Sequence, residues 1–112
     1  MNWKSLTQLE QLDEIQEASK LKPQLIFKHS TTCSISKMAL ARMERSEVPD
    51  SIDFYLLDLL NYRSISNAIA EKFHVFHESP QVLLIKNGAC IYDESHGGIQ
   101  MEEIIDQSKQ KF

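Results

Sequence analysis

Apolar residues in this chain occur either at helical spacing or in short continuous runs, which predicts helices that alternate with strands. The first helix is expected from Ser5 to about Ser19, because Ser5 and Gln8 have the spacing of a capping box. Its apolar side is formed by Leu6, Leu9, Leu12 and Ile15. Helical spacing predicts further helices over residues 34–45, 61–73 and about 99–109. The core side of the second helix is assigned to Ile35, Met38, Ala39 and Met43.

Four short segments have the composition of strands. Apolar runs and β-branched residues predict strands over residues 24–29, 52–57, 81–86 and 89–93. Asn87 and Gly88 separate the last two segments. This dipeptide favours a type I′ hairpin turn, which needs positive φ at both central positions.

The order of these elements is helix-strand-helix-strand-helix-strand-strand-helix. Strands separated by helices favour parallel pairing through right-handed crossovers, and the terminal hairpin adds an antiparallel pair. This is the order of the thioredoxin fold, an α/β architecture whose central mixed sheet of four strands is flanked by helices. The chain has 112 residues and no evident linker, so residues 1–112 are expected to form a single domain.

Composition and charge narrow the function classes. The chain has 12 Lys and Arg against 16 Asp and Glu, and this net charge of −4 argues against binding to nucleic acid. The apolar runs are too short to span a bilayer, and the N-terminus lacks the apolar region of a signal peptide. We therefore expect a cytoplasmic, monomeric protein that does not associate with membranes.

Cys33 is the strongest candidate for chemistry, because it lies between a polar loop and the second helix. Free backbone N–H groups at a helix N-terminus stabilise a thiolate, which makes the cysteine reactive. Lys28 and Lys37 are close in sequence, and we assign them to lowering the pKa of this thiol. A small buried core cysteine is the alternative interpretation.

Ser36 follows Cys33 by three residues and completes a C-x-x-S pattern. A second cysteine at this position would resolve a mixed disulfide internally, and a hydroxyl cannot. The pattern therefore predicts a monothiol site whose mixed disulfide is cleared by a thiol from another molecule. An ordinary serine in the first turn of the helix is the alternative.

Two further segments are candidates for the same site. Ser79 and Pro80 precede a strand, where the thioredoxin fold has a cis-proline opposite the active cysteine, and we expect a cis bond here. Gly97 and Gly98 precede the last helix. They are either a simple loop or a close-approach site for a ligand carboxylate, as in glutaredoxin-like proteins.

The remaining cysteine and the histidines are assigned structural roles. Cys90 lies in the second strand of the hairpin and is expected to be part of the core. His74 and His77 are close in sequence, but no third ligand flanks them, so no metal site is expected.

The stretch from Leu25 to Lys37, with Thr32, Cys33, Ile35 and Ser36 at its centre, resembles the active-site segment of monothiol thioredoxin-like proteins. Taken with Glu78-Ser79-Pro80-Gln81 and Asn87-Gly88, it is similar to the YtxJ family, the monothiol bacilliredoxin C group. The resemblance covers essentially the whole chain. Where the family usually has proline directly after the cysteine, this chain has Ser34.

The resemblance implies a thiol-disulfide oxidoreductase that removes bacillithiol from S-bacillithiolated client proteins. Cys33 would be the nucleophile and would carry bacillithiol as a mixed disulfide, with bacillithiol as the thiol co-substrate and no metal. The residues expected to contact the thiol are Thr32, Ser34, Ser36, Ser79, Pro80, Gly97 and Gly98. Two alternatives stay open, namely a module that shares an iron-sulfur cluster and a redox-inert interaction module.

Overall fold

The computed structural model describes residues 1–110, in which a five-stranded mixed sheet is covered by four α-helices. The strands are β1 (Lys4–Ser5), β2 (Gln24–His29), β3 (Asp53–Asp58), β4 (Gln81–Lys86) and β5 (Ala89–Ser95). The helices are α1 (Glu10–Ala18), α2 (Ser34–Arg45), α3 (Arg63–Phe73) and α4 (Met101–Ser108), with a short 3₁₀ helix (His96–Gly98) before α4.

The strand order across the sheet is β1-β3-β2-β4-β5. β3 pairs in parallel with both β1 and β2, whereas β4 pairs antiparallel with β2 and β5. The β4–β5 turn has positive φ at Asn87 and Gly88, which confirms the predicted hairpin. The arrangement is the thioredoxin fold that the order of elements predicted.

Alternation along the strands divides the core between the two faces of the sheet. One face is packed by α1 and α3, and its buried residues include Ile15 and Ile69 against Ile26 of β2. The other face is packed by α2 and α4, and its buried residues include Met43, Ile104 and Phe27 of β2. Consecutive residues of β2 therefore point to opposite sides of the sheet, which decides where each polar residue near its end lies.

The number of strands differs from the prediction of four, because Lys4–Ser5 forms the edge strand β1. Lys4 pairs with Tyr55 and Ser5 with Leu56 of β3. A strand of two residues is too short to show an alternation of apolar and polar side chains, so the local sequence could not reveal it.

The predicted start of the first helix at Ser5 is wrong, since α1 begins at Glu10. The predicted capping box is replaced by Gln11, whose Oε1 accepts hydrogen bonds from the N–H groups of Thr7 and Gln8. The Gln11 Nε2 group donates to the Ser5 carbonyl. Pairing of the N-terminal backbone with β3 prevails here over local helix propensity.

The assignment of Met38 and Ile35 to the core is also wrong, because their exposed fractions are 65% and 52%. Ala39 and Met43 carry the buried side of α2 instead. The last helix begins at Met101 rather than at residue 99, because β5 and the 3₁₀ helix occupy the chain as far as Gly98. Within residues 1–110, no helix has the length and apolar character needed to cross a membrane.

Candidate active site

Three segments of the chain meet at the C-terminal end of the central strand β2. Lys28, near the end of β2, pairs with Gln81 at the start of β4, and Gln81 pairs with Ser95 at the end of β5. The loop that carries Cys33, the segment that contains Pro80, and the 3₁₀ helix therefore begin or end at neighbouring positions. The topology brings together residues that are more than sixty positions apart in the sequence.

Cys33 is the N-cap of α2, with extended backbone angles of φ −100° and ψ 123°. Its N–H donates to the Ser30 carbonyl at 3.2 Å, which closes a tight turn over residues 30–33. Its carbonyl accepts the first helical hydrogen bond, from the Lys37 N–H at 3.0 Å. Cys33 is partly exposed, so solvent reaches the N-terminus of α2 at this residue, and its side chain makes no capping hydrogen bond to the N–H groups of the first turn.

Ser36 is completely buried, and its hydroxyl connects the start of α2 to the end of β2. The Oγ accepts a hydrogen bond from the Ser30 N–H at 3.0 Å and lies 2.7 Å from Nδ1 of His29. Burial lowers the pKa of His29, and its ring shares a buried hydrogen bond with the Ser36 hydroxyl. Ser36 thus holds the Cys33 loop in place, which differs from the direct thiol contact that the sequence suggested.

The Ser79–Pro80 peptide bond is cis, as predicted. The loop before it is held by Gln81, whose Nε2 donates to the Phe76 carbonyl and whose Oε1 accepts from the Glu78 N–H. The Ser79 hydroxyl oxygen is buried and has no hydrogen-bond partner among residues 1–110.

Gly97 and Gly98 belong to the 3₁₀ helix and lie before α4 rather than at its first turn. A side chain at position 97 would meet open space, whereas one at position 98 would collide with the Glu94 carboxyl group. Arg42 of α2 fastens this segment, because its guanidinium donates to the carbonyls of Ile99 and His96. The 3₁₀ helix is therefore held against the same helix that Cys33 begins.

Lys28 lies on the opposite face of the sheet from α2, because it alternates with Phe27 and His29. It is fully buried, and its Nζ lies 3.3 Å from Nδ1 of His77. Burial lowers the pKa of Lys28 to about 8. The predicted place of Lys28 beside Cys33 is therefore wrong, because the alternation of side chains along β2 turns Lys28 to the other face of the sheet. The effect of Lys37 on the thiol stays a prediction.

Cys90 packs against the core on the α1 and α3 side, as its structural assignment predicted. Its Sγ donates to the Tyr92 carbonyl, and burial raises the pKa of this thiol to about 11. The group is thus a thiol rather than a thiolate at neutral pH. Among residues 1–110, no three His, Cys, Asp or Glu side chains are grouped so that they could hold a metal ion.

Two residues that shape this region were not singled out from the sequence. Arg42 acts through hydrogen bonds to carbonyls on a distant segment, so no local pattern revealed it. His29 is predicted from its place at the end of a strand to lie near the thiol, and only its bond to Ser36 was not foreseen. Asp58 ends β3 and lies near His29 in space. Its position after a strand parallel to β2 was the one signal that could have found it, because parallel strands end at the same edge.

A cysteine at a helix N-terminus and a cis-proline at the neighbouring strand define this chain as a thioredoxin-fold thiol oxidoreductase. It is 30% identical to a solved structure with a thioredoxin fold, with a TM-score of 0.82 over 94% of this chain and 92% of that chain. Thioredoxin from Malassezia sympodialis has 20% identity and a TM-score of 0.75, over 96% of this chain and 91% of that one. Fasciola hepatica thioredoxin has 18% identity and a TM-score of 0.72, over 95% and 99%.

The similarity to the two thioredoxins shows the fold alone, and the family is shown by a separate match. Residues 4–104 match the monothiol bacilliredoxin BrxC family, so almost the whole described chain is covered. The chain belongs to this family.

Proposed function

We propose that this protein removes bacillithiol from S-bacillithiolated proteins, with Cys33 as the nucleophile. The observation that carries the proposal is the C-x-x-S site, in which the position of a resolving thiol holds the buried hydroxyl of Ser36. Membership of the monothiol bacilliredoxin family supports the same substrate class.

The reaction is a thiol-disulfide exchange in two steps. The Cys33 thiolate attacks the bacillithiol sulfur of the client's mixed disulfide, the client thiolate leaves, and a Cys33–bacillithiol disulfide forms. A free bacillithiol thiolate then attacks the bacillithiol sulfur of that disulfide. Cys33 leaves as a thiolate, and the product is bacillithiol disulfide. The number of disulfide bonds is unchanged in each step.

The monothiol character follows from the placement of the two cysteines in the chain. Cys33 begins α2, whereas Cys90 packs against the core on the other face of the sheet. The raised pKa of Cys90 also leaves it without a nucleophilic thiolate at neutral pH. Clearance of the adduct is therefore assigned to an external thiol.

Contacts with the bound thiol are assigned to residues of the three segments that meet where β2 ends. Thr32 and Ser34 flank Cys33, and the unpartnered hydroxyl of Ser79 lies in the cis-proline segment. Pro80 supplies a buried surface, and Gly97 leaves open space above the 3₁₀ helix. Gly98 is assigned to backbone contact only, because the Glu94 carboxyl fills the space beside it.

The test of the proposal is the intact mass of the protein after incubation with oxidised bacillithiol. We expect one bacillithiol adduct on the wild type and on Cys90→Ser, and none on Cys33→Ser. The Cys33→Ser protein should also fail to release bacillithiol from an S-bacillithiolated client protein. An adduct that persists on Cys33→Ser contradicts the assignment of the nucleophile.

A second experiment tests the absence of an internal resolving thiol. Ser36→Cys places a thiol three residues from Cys33, where it acts at high effective concentration. The Cys33 adduct of this variant should decay in single-turnover conditions without added thiol and leave a disulfide between Cys33 and the introduced thiol, whereas the wild-type adduct persists. Equal decay in both proteins would mean that Cys90 resolves the adduct, and the monothiol mechanism would be wrong.

A further inference from the structure

A cavity lies beside the Cys33 loop, on the side of β3 and β1. It has a volume of about 340 Å³, well above the roughly 30 Å³ that one water takes in the liquid. Its polar lining comprises Ser5, Thr7, His29, Thr31, Asp58 and Tyr62. Thr31 belongs to the turn that the Cys33 N–H closes, so an occupant of the cavity lies against the loop that carries the thiol.

The unusual group in this cavity is the carboxylate of Asp58. Its Oδ2 accepts a hydrogen bond from the Asn61 side chain at 2.7 Å. Its Oδ1 is buried and has no partner among the described residues. A buried carboxylate oxygen without a hydrogen bond is costly. Because Asp58 lines the cavity, its carboxyl group marks a place for a donor that is not part of the chain.

The charge of the lining favours a cationic donor. No lysine or arginine is among the described residues that line the cavity, and burial lowers the pKa of His29 although the charge of Asp58 acts in the opposite direction. Lys37 and Glu44 also act on His29 from α2, with opposite signs. Asp58 is the one Asp, Glu, Lys or Arg residue in the described lining.

We propose that this cavity binds a primary ammonium group of the disulfide substrate through Asp58. This inference rests on the proposed exchange at Cys33 and adds a specificity-determining residue to it. The ammonium group comes either from the low-molecular-weight thiol or from a lysine near the modified cysteine of the client. Both sources present the same chemistry to Oδ1.

The test compares Asp58→Asn with the wild type in the rate at which Cys33 is modified by small disulfides. Cystamine carries an ammonium group on each half, bis(2-hydroxyethyl) disulfide is neutral, and 3,3′-dithiodipropionate is anionic. In each case the Cys33 thiolate attacks one sulfur, a mixed disulfide forms on Cys33, and the other half leaves as a thiolate. Each disulfide is compared between the two proteins, so differences in the leaving thiols cancel.

We expect Asp58→Asn to slow the reaction with cystamine by about tenfold and to leave the neutral disulfide unchanged, since a hydrogen bond to a charged group is lost. Asp106→Asn is the matched control, because it removes an exposed carboxylate on α4 and the same unit of net charge.

The second arm uses peptides whose cysteine carries a 2-mercaptoethanol disulfide next to either lysine or glutamine. A loss confined to cystamine assigns the ammonium to the thiol, and a loss confined to the lysine peptide assigns it to the client.

A measurement on the wild type alone covers the case in which Asp58→Asn does not fold. Methylammonium chloride should slow the cystamine reaction more than tetramethylammonium chloride at the same concentration, because only methylammonium donates hydrogen bonds to Oδ1. Equal rates in the two salts, or equal cystamine and lysine-peptide rates in wild type and Asp58→Asn, overturn the proposal and leave the exchange at Cys33 intact. Failure of Cys33 to react with any of the disulfides overturns both.

Discussion

At the scale of single residues, the two cysteines and Ser36 illustrate how one fold gives similar groups different roles. Cys33 is partly exposed at the start of α2, whereas Cys90 packs on the far face of the sheet with its pKa raised to about 11. Ser36 is buried and bonded on two sides. Exposure and hydrogen bonding, rather than residue type, decide which group is available for chemistry.

This difference predicts selective alkylation of the native protein. A short treatment with iodoacetamide near neutral pH should add one group, at Cys33, because Cys90 forms almost no thiolate there. Both cysteines should react in denaturant. Intact mass and peptide mapping measure the result, with Cys33→Ser as the control that stays unmodified when folded. Native labelling of Cys90 would contradict its burial.

The two hydrogen bonds of Ser36 predict a cost in stability when its hydroxyl is removed. Ser36→Ala leaves the Ser30 N–H and Nδ1 of His29 without their partner in a buried place, so the free energy of unfolding should fall by about 1–3 kcal/mol. Ser34→Ala removes an exposed hydroxyl two residues earlier and should change it by less than about 0.5 kcal/mol. Urea denaturation compares the two, and equal effects would show that the buried bonds contribute nothing.

At the scale of elements, the N-terminal segment shows how tertiary pairing changes a local preference. Residues 4–5 pair with β3, and this pairing places Leu6 in the core while Leu9 is half exposed. A helix from Ser5 would have put both leucines on one apolar side. The sheet therefore decides the orientation of residues whose spacing alone indicates a helix.

Alanine substitutions distinguish these two arrangements. Leu6 is 1% exposed and packs in the α1 and α3 core, so Leu6→Ala should lower the free energy of unfolding by about 2–5 kcal/mol. Leu9 is 50% exposed, and Leu9→Ala should lower it by less than about 1 kcal/mol. Urea denaturation gives both values. A similar cost at both positions would favour the helix that local spacing predicts and contradict β1.

At the scale of the whole molecule, one buried charge couples global stability to pH. Lys28 is fully buried near the middle of the sheet, and its described contact is the ring of His77. Its pKa falls from 10.5 to about 8 on folding because the ammonium group loses water. Between these two pH values the unfolded chain binds more protons than the folded one, so the free energy of unfolding rises with pH across that window.

Replacing Lys28 removes this cost. Lys28→Met should therefore stabilise the protein near neutral pH by about 1–2 kcal/mol, less than the full shift would give because the ammonium group keeps part of its hydration. The advantage over the wild type should shrink as the pH rises towards 10.5. Chemical denaturation at neutral pH and close to pH 10.5 measures the change, with the exposed Lys109→Met as the matched control. A difference that does not depend on pH would mean that Lys28 keeps its charge when folded.

The sequence by itself determined the order of the main elements, the hairpin at Asn87-Gly88, the cis bond at Pro80 and the placement of Cys33 before α2. These features depend on the local periodicity of apolar residues, on turn chemistry or on motifs that a family shares. Each can be recognised from residues that are close together in the sequence. The prediction that Met38 is in the core was wrong, because helical spacing shows on which side of the helix a residue lies but not how far the neighbouring sheet extends.

The tertiary structure decided everything that depends on pairs far apart in sequence. It placed Lys4–Ser5 in the sheet, turned Lys28 away from Cys33 and joined His29 to Ser36. It also left one oxygen of Asp58 without a partner among the described residues. Strand register and burial fix these relations, and both arise only when elements pack together. A local pattern identifies the reactive thiol, whereas the residues that hold it and surround its substrate are chosen by the fold.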